Sequence, residues 1–269
     1  MRLPIFQADA FTAELFGGNP AALVPLEQWL PNDLLQQIAT ENQLSETAFT
    51  VPSAAGFQLR WFTPASEVPL CGHATLAAAH LLWTELGCGH REILFSTLSG
   101  ELRVQREKDL IAMDFPAQKM QPLTTSGAFA DNLKQAFGCL PRNAVREESE
   151  GGKLLLEFAG AAQVAALKPD MRSVAALPYQ GVVCTATGDE YPCDFVSRFF
   201  APNVGIDEDP VTGFAHTLLT PYWAEKLDLA QMQARQISAR GGVLECQLQS
   251  NRVILRGRAV TYMRGEIRL

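Results

Sequence analysis

The chain has 269 residues, of which 47% are hydrophobic and 19% are charged, so it can bury a core of ordinary size. Its formal charge is −7, and no run of Lys or Arg could follow a phosphate backbone, which predicts that nucleic acid is not a partner. The sequence contains no signal-peptide pattern and no apolar run of about 18 residues. We therefore expect a globular, cytoplasmic protein without a membrane span.

Six cysteines are distributed along the chain without a C-x-x-C pair. A chain of this length does not need disulfides in order to fold, so we expect six reduced thiols. Cys71 and His73 are a close pair of metal-ligand type, but the chain has none of the C-x2–4-C or H-x3–5-H pairs that tetrahedral sites use. The sequence therefore predicts no bound metal.

The N-terminal part of the chain alternates between strand and turn signals. Gly17-Gly18-Asn19-Pro20 is typical of a turn between strands. A helix is expected next, with Asn32 or Asp33 as its N-cap and with Leu34, Leu35, Ile38 and Ala39 on one face. Period-2 or apolar runs predict strands at residues 3–8, 21–24, 47–51, 58–62, 91–97, 100–106 and 110–115.

Glu46 lies where the expected helix gives way to an apolar strand that begins near Ala48. A carboxylate partly buried between Leu44 and Ala48 has the environment of a group that takes and returns protons. An acid at such a junction is more often a solvated or capping residue. Its position alone leaves both interpretations open.

The stretch from Ala74 to Trp83 carries small or apolar residues on every side of a helix. A surface helix would have one polar face, so this helix is expected to be buried. A helix that is hidden on all sides requires a sheet around it, and the neighbouring strand candidates supply one.

The chain then repeats this arrangement. Arg60-Trp61-Phe62-Thr63-Pro64 leads to Gly72-His73-Ala74, and Arg198-Phe199-Phe200-Ala201-Pro202 leads to Gly213-Phe214-Ala215. An apolar stretch and two period-2 segments around a short turn follow each copy. The sequence thus predicts an α/β (α+β) fold of two pseudosymmetric domains, each a curved, mostly antiparallel sheet or barrel around a central helix.

The expected domains span residues 1–116 and 117–269, with a hinge within 117–131 and a last strand able to pair with the first domain. Gly72 and Gly213 open the two buried helices. Helix N-termini present unpaired N–H groups, so two such ends brought together would hold a substrate carboxylate in a cleft between the domains. Judged singly, each glycine fits a tight turn equally well.

Other ionisable residues near these helices have two interpretations each. His73 is either a substrate contact or general acid, or a histidine satisfied at a helix start. Asp209 is either part of a carboxylate site or one acid of a loop that complements the helix dipole. His80 and His216 lie within the helices and are expected to be packed rather than reactive.

At these residues the sequence resembles the PhzF-like family, the phenazine-biosynthesis type of isomerase, which has the diaminopimelate-epimerase type of fold. The motifs that carry the resemblance span nearly the whole chain in order: Asp9-Ala10-Phe11 with GGNPAA, LSETAF at 44–49, RWFTPASEVPLCGHATLAAA at 60–79, GIDEDPVTG at 205–213 and ISARGG at 237–242. The resemblance implies a cleft between two domains, no metal or organic cofactor, a small-molecule carboxylate substrate, and a homodimer.

The resemblance also implies roles for individual residues. It gives Glu46 the role of the acid/base that moves a proton between ring carbons of a dihydro-hydroxyanthranilate. It implies substrate contacts at His73 and Asp209, hydroxyl and backbone donors for the substrate carboxylate at Ser45, Gly72 and Gly213, and, more loosely, a pocket-facing amide at Asn19. Phe214 stands where the family often has Ser, so the ring either narrows the pocket or stacks on a flat substrate.

Three functions remain open on the sequence. The first is a cofactor-free isomerase that uses Glu46. The second is an amino-acid epimerase or racemase that uses Cys71 with Glu46 or Asp209 as the second base. Related epimerases use two thiols, however, and the second half offers Asp209-Pro210 without a cysteine. The third is a binding protein that kept the pocket and lost the reaction, for which Phe214 is the reason.

Overall fold

Residues 1–149 and 151–269 are described by the computed structural model of the chain. They divide into two units, the first made of Met1–Phe115 with Ile254–Leu269 and the second of Pro116–Val253. Strands outnumber helices, which confirms the predicted α/β (α+β) class. Among the described residues, no helix combines the length and the apolar character that crossing a bilayer requires.

The first unit contains most of the elements that the N-terminal sequence pattern predicts. They are β1 (Arg2–Ala10), β2 (Asn19–Pro25), α1 (Asn32–Asn42), β3 (Glu46–Ser53), β4 (Gly56–Phe62), β5 (Glu67–Val68), α2 (Gly72–Thr84), β6 (Glu92–Thr97), β7 (Gly100–Glu107) and β8 (Leu110–Pro116).

The pairing of these strands places the start of β3 beside β2. The pairs β1–β2 and β3–β4 are antiparallel, β2–β3 and β4–β6 are parallel, and β6, β7 and β8 form an antiparallel meander. In the β2–β3 register Ala21 lies opposite Glu46. The turn before β2 needs Gly18, whose φ is +61° and where a Cβ would lie 2.1 Å from the Ala10 carbonyl oxygen.

Helix α2 is the core of the first unit. Between Gly72 and Trp83 every residue except His80 is buried, as its apolar sequence predicts. The helix contacts β1, β2 and β3. Burial on all sides follows from its composition, because Ala77, Ala78 and Ala79 let strands approach the helix axis closely.

The second unit adds a longer series of elements. They are β9 (Met120–Leu123), α3 (Gly127–Phe137), β10 (Asn143–Glu147), β11 (Lys153–Glu157), α4 (Ala161–Ala166), α5 (Met171–Ala175), β12 (Gly181–Thr187), β13 (Phe195–Ala201), β14 (Ile206–Asp209), α6 (Gly213–Leu227), β15 (Gln231–Gln236), β16 (Gly242–Gln249) and β17 (Arg252–Gly257), which crosses into the first unit. A last strand, β18 (Ala259–Arg268), belongs to the first unit and pairs antiparallel with β1.

The strand pairing of the second unit repeats that of the first. The pairs β10–β11 and β12–β13 are antiparallel, β11–β12 and β13–β15 are parallel, and β15–β16 is antiparallel. Helix α6 occupies the place of α2 and buries Ala215, Leu218, Leu219 and Trp223. The internal repeat predicted from the sequence is therefore present in the topology of both units.

An ion pair is duplicated with the fold. Arg60 on β4 forms two hydrogen bonds of 2.7 Å to the Glu67 carboxylate, and Arg198 on β13 forms bonds of 2.7 and 2.8 Å to Glu208. In each unit this bidentate pair ties the long strand to the short strand that precedes the buried helix. The repeated Arg of the two sequence motifs thus has the same structural role twice.

One local prediction was wrong, and one segment has more regular structure than its sequence indicates. Helix α1 has Pro31 as its N-cap, instead of Asn32 or Asp33, because the Pro31 carbonyl already accepts the Leu35 N–H at 3.1 Å. The expected hinge at 117–131 contains β9 and the start of α3. Strand β9 is too short to show a period in the sequence, and it exists through antiparallel pairing with β10, twenty residues later in the chain.

Candidate active site

Glu46 is the first residue of β3 and is only 8% exposed. Its position follows from the parallel β2–β3 pairing, which buries the start of β3 against β2. A buried carboxylate requires a partner, since the loss of water disfavours an isolated charge. The partner in this unit is His73.

His73 is the second residue of α2 and is 4% exposed. Its Nε2 atom lies 2.9 Å from Oε2 of Glu46. Despite this short distance, neither atom has a partner with hydrogen-bond geometry among the described residues. The pair therefore combines close electrostatic contact with hydrogen-bonding capacity that is left over for a third group.

The charge state of His73 reflects two opposing influences. Burial lowers the pKa of the imidazole, but the negative charges of Cys71 and Glu46 raise it by more, so the pKa lies well above its ordinary value. The Cys71 contribution needs a thiolate, whereas that of Glu46 acts whenever its carboxylate is ionised. The site can therefore hold a proton on His73 near neutral pH.

On the other side of the ring, the predicted site residue Asn19 contacts His73, and Ser45 in turn contacts Asn19. Asn19, the first residue of β2, is fully buried, and its Nδ2 lies 3.2 Å from Nδ1 of His73. The Ser45 hydroxyl donates to Oδ1 of Asn19 at 3.2 Å. Ser45, Asn19, His73 and Glu46 thus form one continuous polar chain inside the first unit.

Cys71 is the N-cap of α2 and is buried. Its Sγ lies 3.5 Å from Nδ1 of His73. Burial raises the pKa of this thiol to about 11, and the nearby Glu46 charge adds to the rise. Cys71 is therefore a neutral thiol at physiological pH.

Glu46, Cys71 and His73 bring a carboxylate, a sulfur and an imidazole nitrogen within 4.8 Å of one another. These are zinc-ligand types, and the sequence spacing gave no sign of the third member. However, Cys71 faces Nδ1 of the ring and Glu46 faces Nε2. One ion in the ring plane binds through one nitrogen, so the arrangement suits proton exchange better than metal coordination.

In the second unit, Asp209 ends β14 and is buried. The Thr212 hydroxyl donates to its Oδ2 atom, and the Gln236 amide donates to its carbonyl oxygen at 2.7 Å. Gly213 follows as the first residue of α6, and Phe214 is half-buried. These three predicted substrate contacts therefore lie together at the start of the helix that repeats α2.

A lysine that the sequence did not single out lies at the same helix start. The Lys153 ammonium is 3.9 Å from the centre of the Phe214 ring and 3.7 Å from Oε2 of Glu147. Burial lowers the pKa of Lys153, and Glu147 only partly offsets that effect. No local pattern predicts this contact, because Lys153 and Phe214 belong to elements sixty residues apart in the chain.

His80 and His216 are packed, as expected. His216 is fully buried, and its Nδ1 lies 2.8 Å from the Thr212 carbonyl oxygen. Burial lowers the pKa of His216 to about 4, so the ring is neutral at pH 7. His80 is half-buried, with its Nε2 3.0 Å from the Thr261 hydroxyl.

Comparison with known proteins agrees with this geometry. The family model described as phenazine biosynthesis-like protein matches residues 8–265. An uncharacterized isomerase of Pseudomonas aeruginosa is 46% identical over 269 residues and the match covers all of both chains. A crystal structure of a phenazine biosynthesis protein of the PhzF family from Enterococcus faecalis has a TM-score of 0.93 and 40% identity, again over all of both chains.

A more distant likeness concerns the fold alone. A hydroxyproline epimerase from Agrobacterium vitis has a TM-score of 0.61 at 11% identity, covering 99% of this chain and 92% of that one. The epimerase type of fold predicted from the sequence is thereby supported. The match to residues 8–265 and the 46% identity show that the chain belongs to the phenazine biosynthesis-like (PhzF) family, whose members are isomerases.

Proposed function

We propose that this isomerase moves a proton on a small carboxylated substrate, cyclic or conjugated, with Glu46 as the acid/base and without a metal or organic cofactor. The observation that carries the proposal is the 2.9 Å contact between the buried Glu46 carboxylate and Nε2 of His73. A buried carboxylate beside an imidazole is a pair that can pass a proton back and forth near neutral pH.

In the proposed reaction, Glu46 takes a proton from a carbon that is acidified by a neighbouring conjugated carboxylate. The same residue then returns the proton to another carbon of the conjugated system. Negative charge develops on the substrate between these steps. His73 and the first N–H groups of α2, beginning at Gly72, are placed to stabilise that charge because the helix N-terminus carries a partial positive charge.

Cys71 is a poor alternative base. With a pKa of about 11, the thiol holds its proton, and a two-thiol epimerase would need a thiolate on one face of the substrate to take the proton and a thiol on the other face to give one. Thr212 occupies the N-cap position of α6 that Cys71 occupies in α2. We infer that Cys71 supports the packing around His73 and is not the reacting group.

Asp209, Gly213 and Phe214 remain proposed substrate contacts of the second unit. The half-buried Phe214 ring offers a flat apolar face, which favours planar conjugated substrates over small saturated amino acids. Replacing Phe214 with Ser, the residue often present in the family, is expected to change which substrate is used rather than whether protons are exchanged.

The test is deuterium wash-in from solvent on a panel of amino-cyclohexadiene carboxylates. Glu46→Gln is expected to lower the exchange rate by about 100- to 10,000-fold. Glu41→Gln is the matched control, since Glu41 lies exposed near the end of α1, and it should exchange at the wild-type rate. Equal rates for wild type and Glu46→Gln would remove Glu46 from the mechanism.

Two other outcomes would point to the alternatives. Loss of exchange in Cys71→Ala with exchange retained in Glu46→Gln would favour a thiol-dependent epimerase. A ligand that raises the melting temperature without any exchange would favour a binding protein that lacks the reaction.

A further inference from the structure

The groups that contact Nδ1 of His73 determine where the ring carries its proton. Nδ1 of His73 faces the side-chain N–H of Asn19 at 3.2 Å and the sulfur of Cys71 at 3.5 Å. Because Cys71 is a thiol, both neighbours offer hydrogen-bond donors. In this arrangement Nδ1 accepts, and the ring proton is on Nε2, which faces Glu46.

Protonation of the ring would turn Nδ1 from a hydrogen-bond acceptor into a donor. An imidazolium carries a hydrogen on both nitrogens, so Nδ1–H would point at the Asn19 N–H group, and a buried donor without an acceptor is strongly disfavoured. The negative charge of Glu46, 2.9 Å away on the opposite side, nevertheless favours the imidazolium. The Cys71 sulfur, 3.5 Å from Nδ1, is only a weak acceptor, so the two demands are best met if the Asn19 group at Nδ1 can change from donor to acceptor.

An asparagine amide can make that change by turning through half a rotation, which exchanges its oxygen and nitrogen. The group on the far side of Asn19 suits both orientations. Ser45 donates to Oδ1 of Asn19 at 3.2 Å, and its hydroxyl can equally accept from the amide nitrogen after the turn. Neither an aspartate nor a leucine at this position could serve both states.

We propose that Asn19, supported by Ser45, is a positioning residue whose amide turns with the protonation state of His73, donating to the neutral ring and accepting from the imidazolium. The titratable groups facing the ring among the described residues are Glu46 from β3 and Cys71 from the start of α2. The catalytic consequence rests on the proposed function: His73 could hold a proton beside Glu46 during each transfer.

The test is a pH titration of the histidine side-chain nitrogens by NMR in the free, full-length enzyme labelled with ¹⁵N-histidine. In the wild type, His73 should change from an imidazolium at low pH to a ring protonated only on Nε2 at high pH. His216 is an internal reference with the opposite tautomer, because its Nδ1 faces the Thr212 carbonyl at 2.8 Å and must carry the hydrogen.

The deciding variant is Asn19→Leu, which has neither donor nor acceptor. A hydrogen bond to the charged ring is stronger than one to the neutral ring, and leucine can make neither. The variant therefore destabilises the imidazolium more than the neutral ring, and the pKa of His73 is expected to fall by about one unit, or tenfold in proton affinity. Ser45→Ala should lower it by less, and Asn19→Asp should raise it. If Asn19 acted only as the donor seen in the structure, Asn19→Leu would raise the pKa of His73. Either a raised pKa or an unchanged pKa would overturn the proposal.

Asn42→Leu is the matched control. Asn42 donates to the Thr47 hydroxyl at 3.0 Å, so its loss disturbs the start of β3 without touching the ring, and the His73 titration should stay as in the wild type. An equal shift in this control would mean that general loosening explains the result and would count against the proposal. The titration needs no substrate, so it can fail or succeed independently of the Glu46 exchange experiment.

Discussion

The two units share one strand order around a buried helix, and they differ most at the start of that helix. In the first unit, α2 begins with Cys71, Gly72 and His73, whereas α6 begins with Thr212, Gly213 and Phe214. The imidazole of His73 in one unit therefore corresponds to the phenyl ring of Phe214 in the other. The two copies share the framework and differ in the ionisable groups at the helix start.

The strand register extends the comparison to Glu46. Arg60 lies opposite Phe49 and Arg198 lies opposite Cys184, so three residues before these partners Glu46 corresponds to Gly181. A side chain at Gly181 would collide with Phe199, since a Cβ there would lie 2.4 Å from the ring. The second unit thus has no room for an acid at this position unless Phe199 moves.

The partner strand shows the same exchange of character. Ala21 lies opposite Glu46 in the first unit, and Lys153 lies opposite Gly181 in the second. An acid with a small neighbour is replaced by a glycine with a cationic neighbour. One copy thus holds a carboxylate beside an imidazole, and the other holds an ammonium group over an aromatic ring.

The largest expected effect comes from giving the first unit the residue of the second. His73→Phe removes the imidazole beside Glu46 and is expected to lower the rate of solvent deuterium exchange by about 100-fold or more. The reverse change, Phe214→His, should not create a second exchanging pair in the second unit, because Gly181 supplies no acid there. Comparable losses in the two variants would contradict the asymmetry.

The buried histidines should give opposite pH dependences of stability. The pKa of His216 falls from 6.5 to about 4 on folding, so the unfolded state binds more protons between these values and stability is lost as the pH drops. The loss should reach about 3 kcal/mol by pH 4. In urea unfolding, the free energy of unfolding of His216→Phe should fall less steeply with decreasing pH than that of the wild type. A variant of the exposed His90 should not show this difference.

His73 has the opposite sign. Its pKa is raised on folding, so its contribution to stability is present below about pH 6.5 and is lost as the pH rises through the folded-state value. His73→Phe should therefore remove part of the alkaline decline in the free energy of unfolding. An unchanged alkaline limb would show that Glu46 does not favour the imidazolium in the folded protein.

Crowding at Gly181 predicts a smaller effect on stability. Gly181→Ala places a methyl group against the Phe199 ring and is expected to destabilise the protein by about 1–3 kcal/mol in urea unfolding. Gly89→Ala is the control, since nothing lies within 4 Å of a Cβ at that position. Adding Phe199→Leu to Gly181→Ala should recover part of the loss, and failure to do so would argue against this packing.

The smallest expected effect is a difference in the free energy of unfolding between variants of the two duplicated ion pairs. Besides Glu208, Arg198 donates to the carbonyls of Val164 and Leu167 at 3.1 and 2.8 Å, in partly buried bonds, whereas the further acceptor of Arg60 is the exposed Asn32 side chain at 3.0 Å. Arg198→Met should therefore cost about 1 kcal/mol more than Arg60→Met, because those carbonyls lose a partner. Equal free energies of unfolding for the two variants would show that solvent replaces the lost donors.

Much of the framework could be predicted from the sequence because its signals are local or repeated. The apolar composition of 74–83 predicts a buried helix, and the two Arg-led motifs predict a duplicated unit. Period-2 runs locate most strands of the first unit. Strand β9 was not predicted because it owes its structure to a pairing partner elsewhere in the chain.

The site was only partly predictable, since its contacts join distant segments. Glu46 and His73 are each visible as candidates, but their contact depends on the β2–β3 register. The sequence placed Asp209-Pro210 against the Cys71 position, whereas the helix N-cap shows that Thr212 is the counterpart. The contact of Lys153 with Phe214 depends on packing between elements and leaves no periodic signal.

The pairing of β1 with β18 has a consequence for folding during synthesis. Residues 116–253 form the second unit from one uninterrupted stretch, while β1 must wait for residues 259–268 before its outer edge is covered. The later-made unit can therefore finish folding while the earlier one still lacks a strand. Until β18 has been synthesised, the uncovered edge of β1 in the nascent chain can pair with a strand of a neighbouring nascent chain.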